Sequence, residues 1–492
     1  MATAETAASL ASLPNYIGGC WLEVEDVELL EDRDPASGEI IARVPLSAEA
    51  QVDAAVGAAR AAAEEWRDVP VQARARAILA LRQALVDHRE ELARLVASDM
   101  GKTLADADAE VGRGIESVEA AAAAPHLLKG ENLEGVATGL DVELFRVPVG
   151  VVAAITPFNF PAMIPLWFLP FALVTGNAFV LKPSEQDPLP SQRIVQLIDA
   201  IPEIPEGVVN LVHGGREAVS ALLGHPGVDA VSFVGSAATA KLIAERSSAG
   251  GKRVQALGGA KNAIIVMPDA ERRAMVEGVI ASAFGAAGQR CLAGSVLVLV
   301  GSRQQQDEAL EAIAARAGEL RLGPGLNPDT DVCPLVSAAS RERLLEEIDH
   351  AVSAGAQLVL DGRGHEPGPG GTLLGPTIIE AFEPESRCLR EELFGPLLSV
   401  YRAPDLGSAI EWCNGSRYGN AAVMFTSSGG AARQFRNRIE AGMLGVNVGV
   451  AAPVAWFPFA GFKDSFAGDL HANGHDAFEF YTRKKVVTSR WP

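Results

Sequence analysis

The sequence predicts an α/β protein assembled from parallel βαβ units. Three observations lead there. From residue 151 onward, short apolar runs alternate with stretches of helical spacing. The runs are apolar at successive positions, as strands covered on both faces are. Finally, 492 residues, 48% hydrophobic and 21% charged, exceed what one simple core accommodates, so two or three domains are expected.

Taken in order, residues 48–66, 71–98 and 103–124 carry helical spacing, the first of them rich in alanine. DVELFRVPVGVVAAIT then turns to strand-like composition. Residues 151–181 are uncharged and long enough to span a bilayer. Pro157, Pro161, Pro165 and Pro170 interrupt them, and each interior proline costs a helix about 3 kcal/mol. The segment therefore reads as strand, loop, helix and second buried strand, not as a membrane span. VVNLVHG, AVSFVGS and NAIIVM supply further strands. A long helical stretch, DAERRAMVEGVIASAFGAAG, leads to Cys291 and then to the apolar run SVLVLVG. A second α/β region follows to about residue 445, with GRGHEPGPGG at 362–371 as a surface loop. The tail FEFYTRKKVVTSRWP alternates like a strand. An exposed terminal strand needs a partner, inside the chain or across a subunit interface.

The formal net charge is -20 and the pI about 4.9, which speaks against a nucleic-acid footprint or binding to an anionic membrane. Local arginines can still hold an anionic substrate. Cys20, Cys291, Cys333, Cys388 and Cys413 are few, odd in number and scattered, so no disulfide framework is implied and a cytoplasmic setting is expected. No CxxC or His/Cys cluster has metal-ligand spacing, and no metal is expected. The N-terminal MATAETAASLASLP lacks the basic region of a signal peptide.

Several motifs could carry chemistry. Cys291 lies in GAAGQRCLAG, bracketed by Gly288 and Gly294 and preceded by Arg290. It is either a buried structural cysteine or a nucleophile whose pKa the neighbouring arginine lowers. Asn159 in TPFNFP follows an apolar strand, where open α/β sheets place ligands. Its amide either closes a turn or donates to an oxyanion. Lys182 and Glu185 in LKPSEQ form either a solvated loop or a ribose site. Ser236 in SFVGSAATA opens a helix whose N-terminus suits a pyrophosphate, although no GxGxxG fingerprint is present. EELFGP sets a carboxylate and an aromatic before a Gly-Pro turn, and VQALGGAKN runs a strand into a glycine turn.

PFNFP, LKPSE, SFVGS, GGAKN, GQRC and EELFGP, in this order and spacing, resemble the aldehyde dehydrogenase family from end to end. PFNFPAMIPLWFLPFAL, AFGAAGQRC and LHANGHDAFEFYTRKKVVTSRWP are similar to its CoA-acylating branch, which acts on methylmalonate and malonate semialdehydes. The resemblance implies an aldehyde dehydrogenase-like fold. An NAD-binding, Rossmann-like domain would comprise residues 1–126 and 149–257, and a catalytic α/β domain residues 258–447. A small β element, 127–148 with 466–492, would serve oligomerisation, with the tail pairing across a dimer in a homodimer or homotetramer.

It also implies roles. Cys291 would be the nucleophile, with the Asn159 amide and the Cys291 N–H as oxyanion donors. Thr156 and Phe158 would line the nicotinamide side. Lys182 and Glu185, with Gln186 beside them, would take the adenosine ribose, and Glu185 would repel a 2′-phosphate, favouring NAD. Ser236 would lie near the pyrophosphate, Gly258 by the nicotinamide, and Glu392 on its ribose. Arg113 and Arg290 would clamp the substrate carboxylate with their planar forks, although Arg113 also reads as an ordinary helix-surface charge. Where hydrolytic members carry a glutamate that activates water, alignment on Lys261 puts Leu257. Leucine has no proton to exchange, so a thiol, CoA, is expected to take the acyl group. The rival is a hydrolytic enzyme for another aldehyde with a different base. A non-enzymatic protein on this scaffold would have no need of both Cys291 and Asn159.

Overall fold

A computed structural model of the chain describes residues 12–491. Most of the segment read for a signal peptide, residues 1–11, lies outside them. Among the described residues no helix is long and apolar enough to cross a membrane, and all five cysteines are free thiols.

Two sheets dominate. The first contains five parallel strands, which in chain order are Val151–Ile155, Ala178–Lys182, Val209–Leu211, Ala230–Val234 and Arg253–Leu257. In space they run third, second, first, fourth, fifth. This is the dinucleotide-binding order, with the reversal between the first and fourth strands. Antiparallel Asn15–Ile17 and Cys20–Leu22 extend one edge and Phe466–Gly468 the other. The successive apolar positions have a direct cause. Val152 and Ala154 face one apolar cluster, while Val151, Ala153 and Ile155 face another on the opposite side. Helices Leu104–Ala121 and Met163–Val174 cover the first face, and Glu49–Trp66 and Ala237–Ala249 the second.

The proline-rich segment resolves as strand, loop, helix and strand. All twelve residues of Met163–Val174 are buried, which explains an apolar composition around its whole circumference.

The second sheet has seven strands, in the spatial order Gln357–Leu360, Thr377–Glu380, Leu397–Ala403, Gly294–Val300, Asn262–Val266, Ala421–Phe425 and Met443–Val446. All pair in parallel except the first. Strand Arg253–Leu257 of the first sheet passes through residues 258–261 directly into Asn262–Val266 of the second. The carboxyl edge of one sheet therefore abuts the amino edge of the other.

Three expectations are corrected. The helix predicted through 71–98 breaks at His88 into Val71–Asp87 and Arg89–Asp99. The helix leading to Cys291 stops at Phe284, because Ala286, Ala287 and Gly288 take positive φ values of 48°, 51° and 69°. The tail is not strand throughout. Gly474–Phe480 is helical, its last carbonyls gathered with that of Thr482 by the Arg253 guanidinium, and only Thr482–Arg490 is extended. That strand pairs inside the chain through one of its edges, along its whole length with Leu140–Pro148. Glu131–Ala137 completes this three-stranded sheet, with every residue exposed. Of the expected oligomerisation element, Phe466–Gly468 instead joins the first large sheet.

Candidate active site

Residues at the carboxyl ends of the parallel strands form a line. Lys182 ends one strand, Thr156 follows its neighbour and donates its N–H to the Lys182 carbonyl, Gly235 and Ser236 follow the third, and Gly258 follows the fourth. Lys182 is buried, and its ammonium donates to Glu185 at 2.6 Å, while Gln186 is exposed. Thr156 is buried, with a hydroxyl that has no partner among the described residues. Ser236 caps helix Ala237–Ala249 by accepting from the Thr239 N–H. Phe158 meets Phe394 edge to face, centroids 5.8 Å apart.

Glu392 reaches the same edge from the second sheet. One carboxylate oxygen accepts the Ala260 N–H at 2.8 Å. A Cβ on Gly259 would lie 2.4 Å from the other oxygen, so only glycine admits the carboxylate there. Burial pushes Glu392 up to about 7, against the pull of the Ala260 N–H.

Cys291 lies on the other side of this edge, in the loop before strand Gly294–Val300. It opens into a cavity of about 170 Å³ that also touches Lys102, Arg113, Phe160, Trp167, Arg290 and Phe459. The structure thus brings Arg113 and Arg290 to the cysteine. Arg113 is a pocket residue and not a free surface charge. Its guanidinium donates to Glu116 at 2.8 Å and to the Pro453 carbonyl. Arg290 donates to the Ala281 and Ser282 carbonyls in the last turn of helix Arg272–Phe284, where a cation complements the dipole. Its Nε is buried without a partner among the described residues. Gly285 makes room for it, since a Cβ there would lie 2.5 Å from the guanidinium.

Arg290 pulls the thiol pKa down, as expected, but it does not prevail. Burial, and next the Glu392 charge, push Cys291 up to about 12, outweighing the opposing pull of Arg290 and Lys102. At neutral pH the Cys291 side chain is therefore a thiol.

Asn159 is buried and donates to the Gln289 carbonyl at 3.0 Å, two residues before the cysteine. Its second amide hydrogen has no partner among the described residues. Gln289 is in turn fixed by the Val336 N–H, which donates to its side-chain oxygen.

Four contributors have no role in the sequence reading. Lys102 and Glu110 form a buried ion pair in the pocket wall, with the Lys102 ammonium also 3.6 Å from the Phe160 ring centroid. The other Glu110 oxygen accepts the Ala162 and Met163 N–H groups, which seats the TPFNFP loop against the helix that follows it. Glu110 was legible as a charge on the apolar stripe of its helix, between Ala107 and Gly114. Asn262 and Asn420 both bond the Cys291 carbonyl, and nothing in the sequence marks Asn420 for this.

Leu257 is buried in the apolar cluster that also holds Leu292 and against which Cys291 packs. Each carboxylate in the pocket wall is already engaged: Asp106 by the Ala286 N–H, Glu110 by Lys102, and Glu116 by Arg113. Among the described residues no group of three or more His, Cys, Asp or Glu could hold a metal ion.

Residues 21–487 match the model of the aldehyde dehydrogenase family, and the chain belongs to that family of oxidoreductases acting on aldehydes. More particularly, it is 49% identical to malonate-semialdehyde dehydrogenase 1 of Geobacillus kaustophilus (strain HTA426), over 97% of this chain and 98% of that one. Its backbone matches the crystal structure of a methylmalonate-semialdehyde dehydrogenase from Oceanimonas doudoroffii with a TM-score of 0.95 at 42% identity, covering 98% and 99% of the two chains. A structure from Sinorhizobium meliloti 1021, provisionally described as a methylmalonate-semialdehyde dehydrogenase and complexed with NAD, matches with a TM-score of 0.96 at 39% identity, covering 99% of each chain.

Proposed function

We propose that this chain oxidises malonate and methylmalonate semialdehydes with NAD, with loss of CO₂, and passes the acyl group to CoA. The products would be acetyl-CoA and propionyl-CoA. The observation that carries this reading is the pocket's lack of a free water-activating carboxylate, with Leu257 where hydrolytic relatives place theirs and Asp106, Glu110 and Glu116 each held by another partner.

The residues present suit NAD: the unpartnered Thr156 hydroxyl, the Lys182–Glu185 pair and the Glu392 carboxylate sit on one strand edge. Glu185 at the ribose would repel a 2′-phosphate. NAD, when bound, supplies the hydride acceptor. The protein's part is to hold the aldehyde against Cys291, with the substrate carboxylate on Arg113 and Arg290 and the carbonyl oxygen on the free Asn159 N–H and the Cys291 N–H. The acyl group then rests on sulfur as a thioester, which is slow to hydrolyse without a poised base and ready for exchange with a thiol. A carboxylate β to that carbonyl can leave as CO₂, its bonding pair moving to the carbonyl oxygen held by the same donors. A cytoplasmic setting and a homodimer or homotetramer belong to the same reading. The free cysteines and the exposed three-stranded sheet support them.

Steady-state kinetics with malonate, methylmalonate and succinate semialdehydes, and with propanal, test the arginine clamp. Arg113→Ala is expected to lose about 10²-fold in kcat/KM for the carboxylated aldehydes, the scale of a buried charge-assisted pair, and far less for propanal. An equal loss on all four would refute the clamp.

A further inference from the structure

Both peptide units flanking the Cys291 Cα are held. On one side, the Arg290 carbonyl accepts the Ala293 N–H at 3.0 Å, closing a turn across the cysteine. A trans peptide is planar, so this also fixes the direction of the Cys291 N–H. On the other side, the Cys291 carbonyl accepts two side-chain amides, Asn262 Nδ2 at 2.8 Å and Asn420 Nδ2 at 2.8 Å. A carbonyl has two lone pairs, and both are taken. Asn262 is anchored further, donating to the Ala293 carbonyl at 2.9 Å and accepting the Ala421 N–H at 3.0 Å. Asn262 is 5% exposed and Asn420 4%. They stand at the amino ends of adjacent strands, Asn262–Val266 and Ala421–Phe425, and Gly294–Val300 pairs with the first of these on its other side. Three parallel strands thus converge on one carbonyl at the edge where the two sheets meet.

On the reading that Cys291 is the nucleophile and its N–H an oxyanion donor, we infer that Asn262 and Asn420 are positioning residues for both tetrahedral steps. They act through the Cys291 backbone and touch no substrate. With both peptide planes held, φ and ψ of Cys291 are set, and with them the angle between the Cβ–Sγ bond and the N–H. That angle matters twice. The Cys291 sulfur, its thiol proton lost to solvent, first adds to the aldehyde carbon and the π pair moves to oxygen; collapse with loss of hydride, for which bound NAD would be the acceptor, would leave the thioester. The CoA thiolate then adds to the thioester carbon, the pair again moves to oxygen, and collapse expels the Cys291 thiolate. In each step sulfur must meet carbon while the N–H meets the new oxyanion. A preorganised donor keeps its value only while its aim holds, and a misplacement near 1 Å costs about 10²-fold in rate.

The test uses the full-length protein and two variants, Asn420→Leu, similar in volume but without a donor, and Asn420→Asp, similar in shape but without the amide hydrogens. Three rates are compared with the native enzyme: the pre-steady-state burst of NADH, turnover with saturating CoA, and alkylation of Cys291 by iodoacetamide. Alkylation uses the same sulfur but forms no oxyanion. The burst and the CoA-dependent turnover are each expected to fall roughly 10–100-fold, with the aldehyde KM and the alkylation rate little changed. A burst rate like the native one, or a burst and an alkylation rate that fall in parallel, would overturn the assignment; the second result would mean that the amides merely keep the loop folded. If the leucine variant does not fold, the aspartate variant decides. Cys291→Ala serves as the control: undiminished NADH formation there would sink the nucleophile reading itself, a result distinct from a native-like Asn420 variant.

Discussion

Arg290 and Lys102 both draw the Cys291 thiol toward ionisation, yet burial and the Glu392 charge hold it at about 12. Glu392 is itself raised to about 7 by burial. Its charge therefore changes within the physiological range. On the proposed reading, the carboxylate would accept hydrogen bonds from a ribose hydroxyl pair, and the protonated form would be a poorer acceptor. A raised carboxyl is neutral below its pKa and ionised above it, so NAD binding should strengthen as pH rises through about 7. If only the ionised form binds, the KM for NAD is expected to fall roughly tenfold between pH 6 and pH 8, and Glu392→Gln should flatten that dependence. Kinetics in NAD at a series of pH values check this; an unchanged slope in the variant would remove Glu392 from the nucleotide site. The residue types at this edge were legible because each motif pairs a strand end with a small or charged residue. The orientation of Arg290 was not, since its guanidinium turns back to carbonyls eight and nine residues earlier in the chain. Adjacency in sequence suggested a pKa effect of the right sign, which burial outweighs.

The elements that place these side chains rest on two devices. One is the left-handed turn at residues 285–288. Two consecutive alanines there hold positive φ, a conformation costing roughly 1–2 kcal/mol each. At Gly288 a Cβ would lie 2.1 Å from the Gly395 carbonyl. Periodicity carried the predicted helix straight through this turn, because alanine is the best helix former, although Gly285 at the helix end is a local stop signal. The break comes from tertiary contact. The other device is the Lys102–Glu110 pair, whose carboxylate also caps the start of the helix that follows Asn159. Removing one partner leaves a buried charge alone, so Lys102→Met and Glu110→Gln should each destabilise by about 3–5 kcal/mol, and the double variant by less than the sum. Denaturant titration of the three variants measures it; additive losses would show that the two groups stand independently. The buried strands between residues 151 and 301, by contrast, were read nearly residue for residue, while those of the second region were not placed one by one. Burial on both faces writes itself into the sequence as unbroken apolar runs, whereas the tail helix Gly474–Phe480 alternates in sequence and yet coils.

Across the whole molecule, the chemistry sits where the carboxyl edge of a dinucleotide-type sheet meets the amino edge of a second sheet. Sequence reasoning finds the first edge, because ligands gather at strand carboxyl ends. It has no rule for the second, where Cys291, Asn262 and Asn420 lie ahead of their strands. That meeting of edges leaves one wall for NAD residues and an apolar cavity for the aldehyde. On the proposed reading it leaves, among the described residues, no free carboxylate beside an acyl group on Cys291, and this is the central claim. The direct test is product analysis by mass spectrometry after malonate semialdehyde is turned over with NAD, with and without CoA. Acetyl-CoA formed with CoA present, and NADH formation confined to about one equivalent per site without it, is the predicted result. Free acid formed at the full rate in the absence of CoA would contradict it.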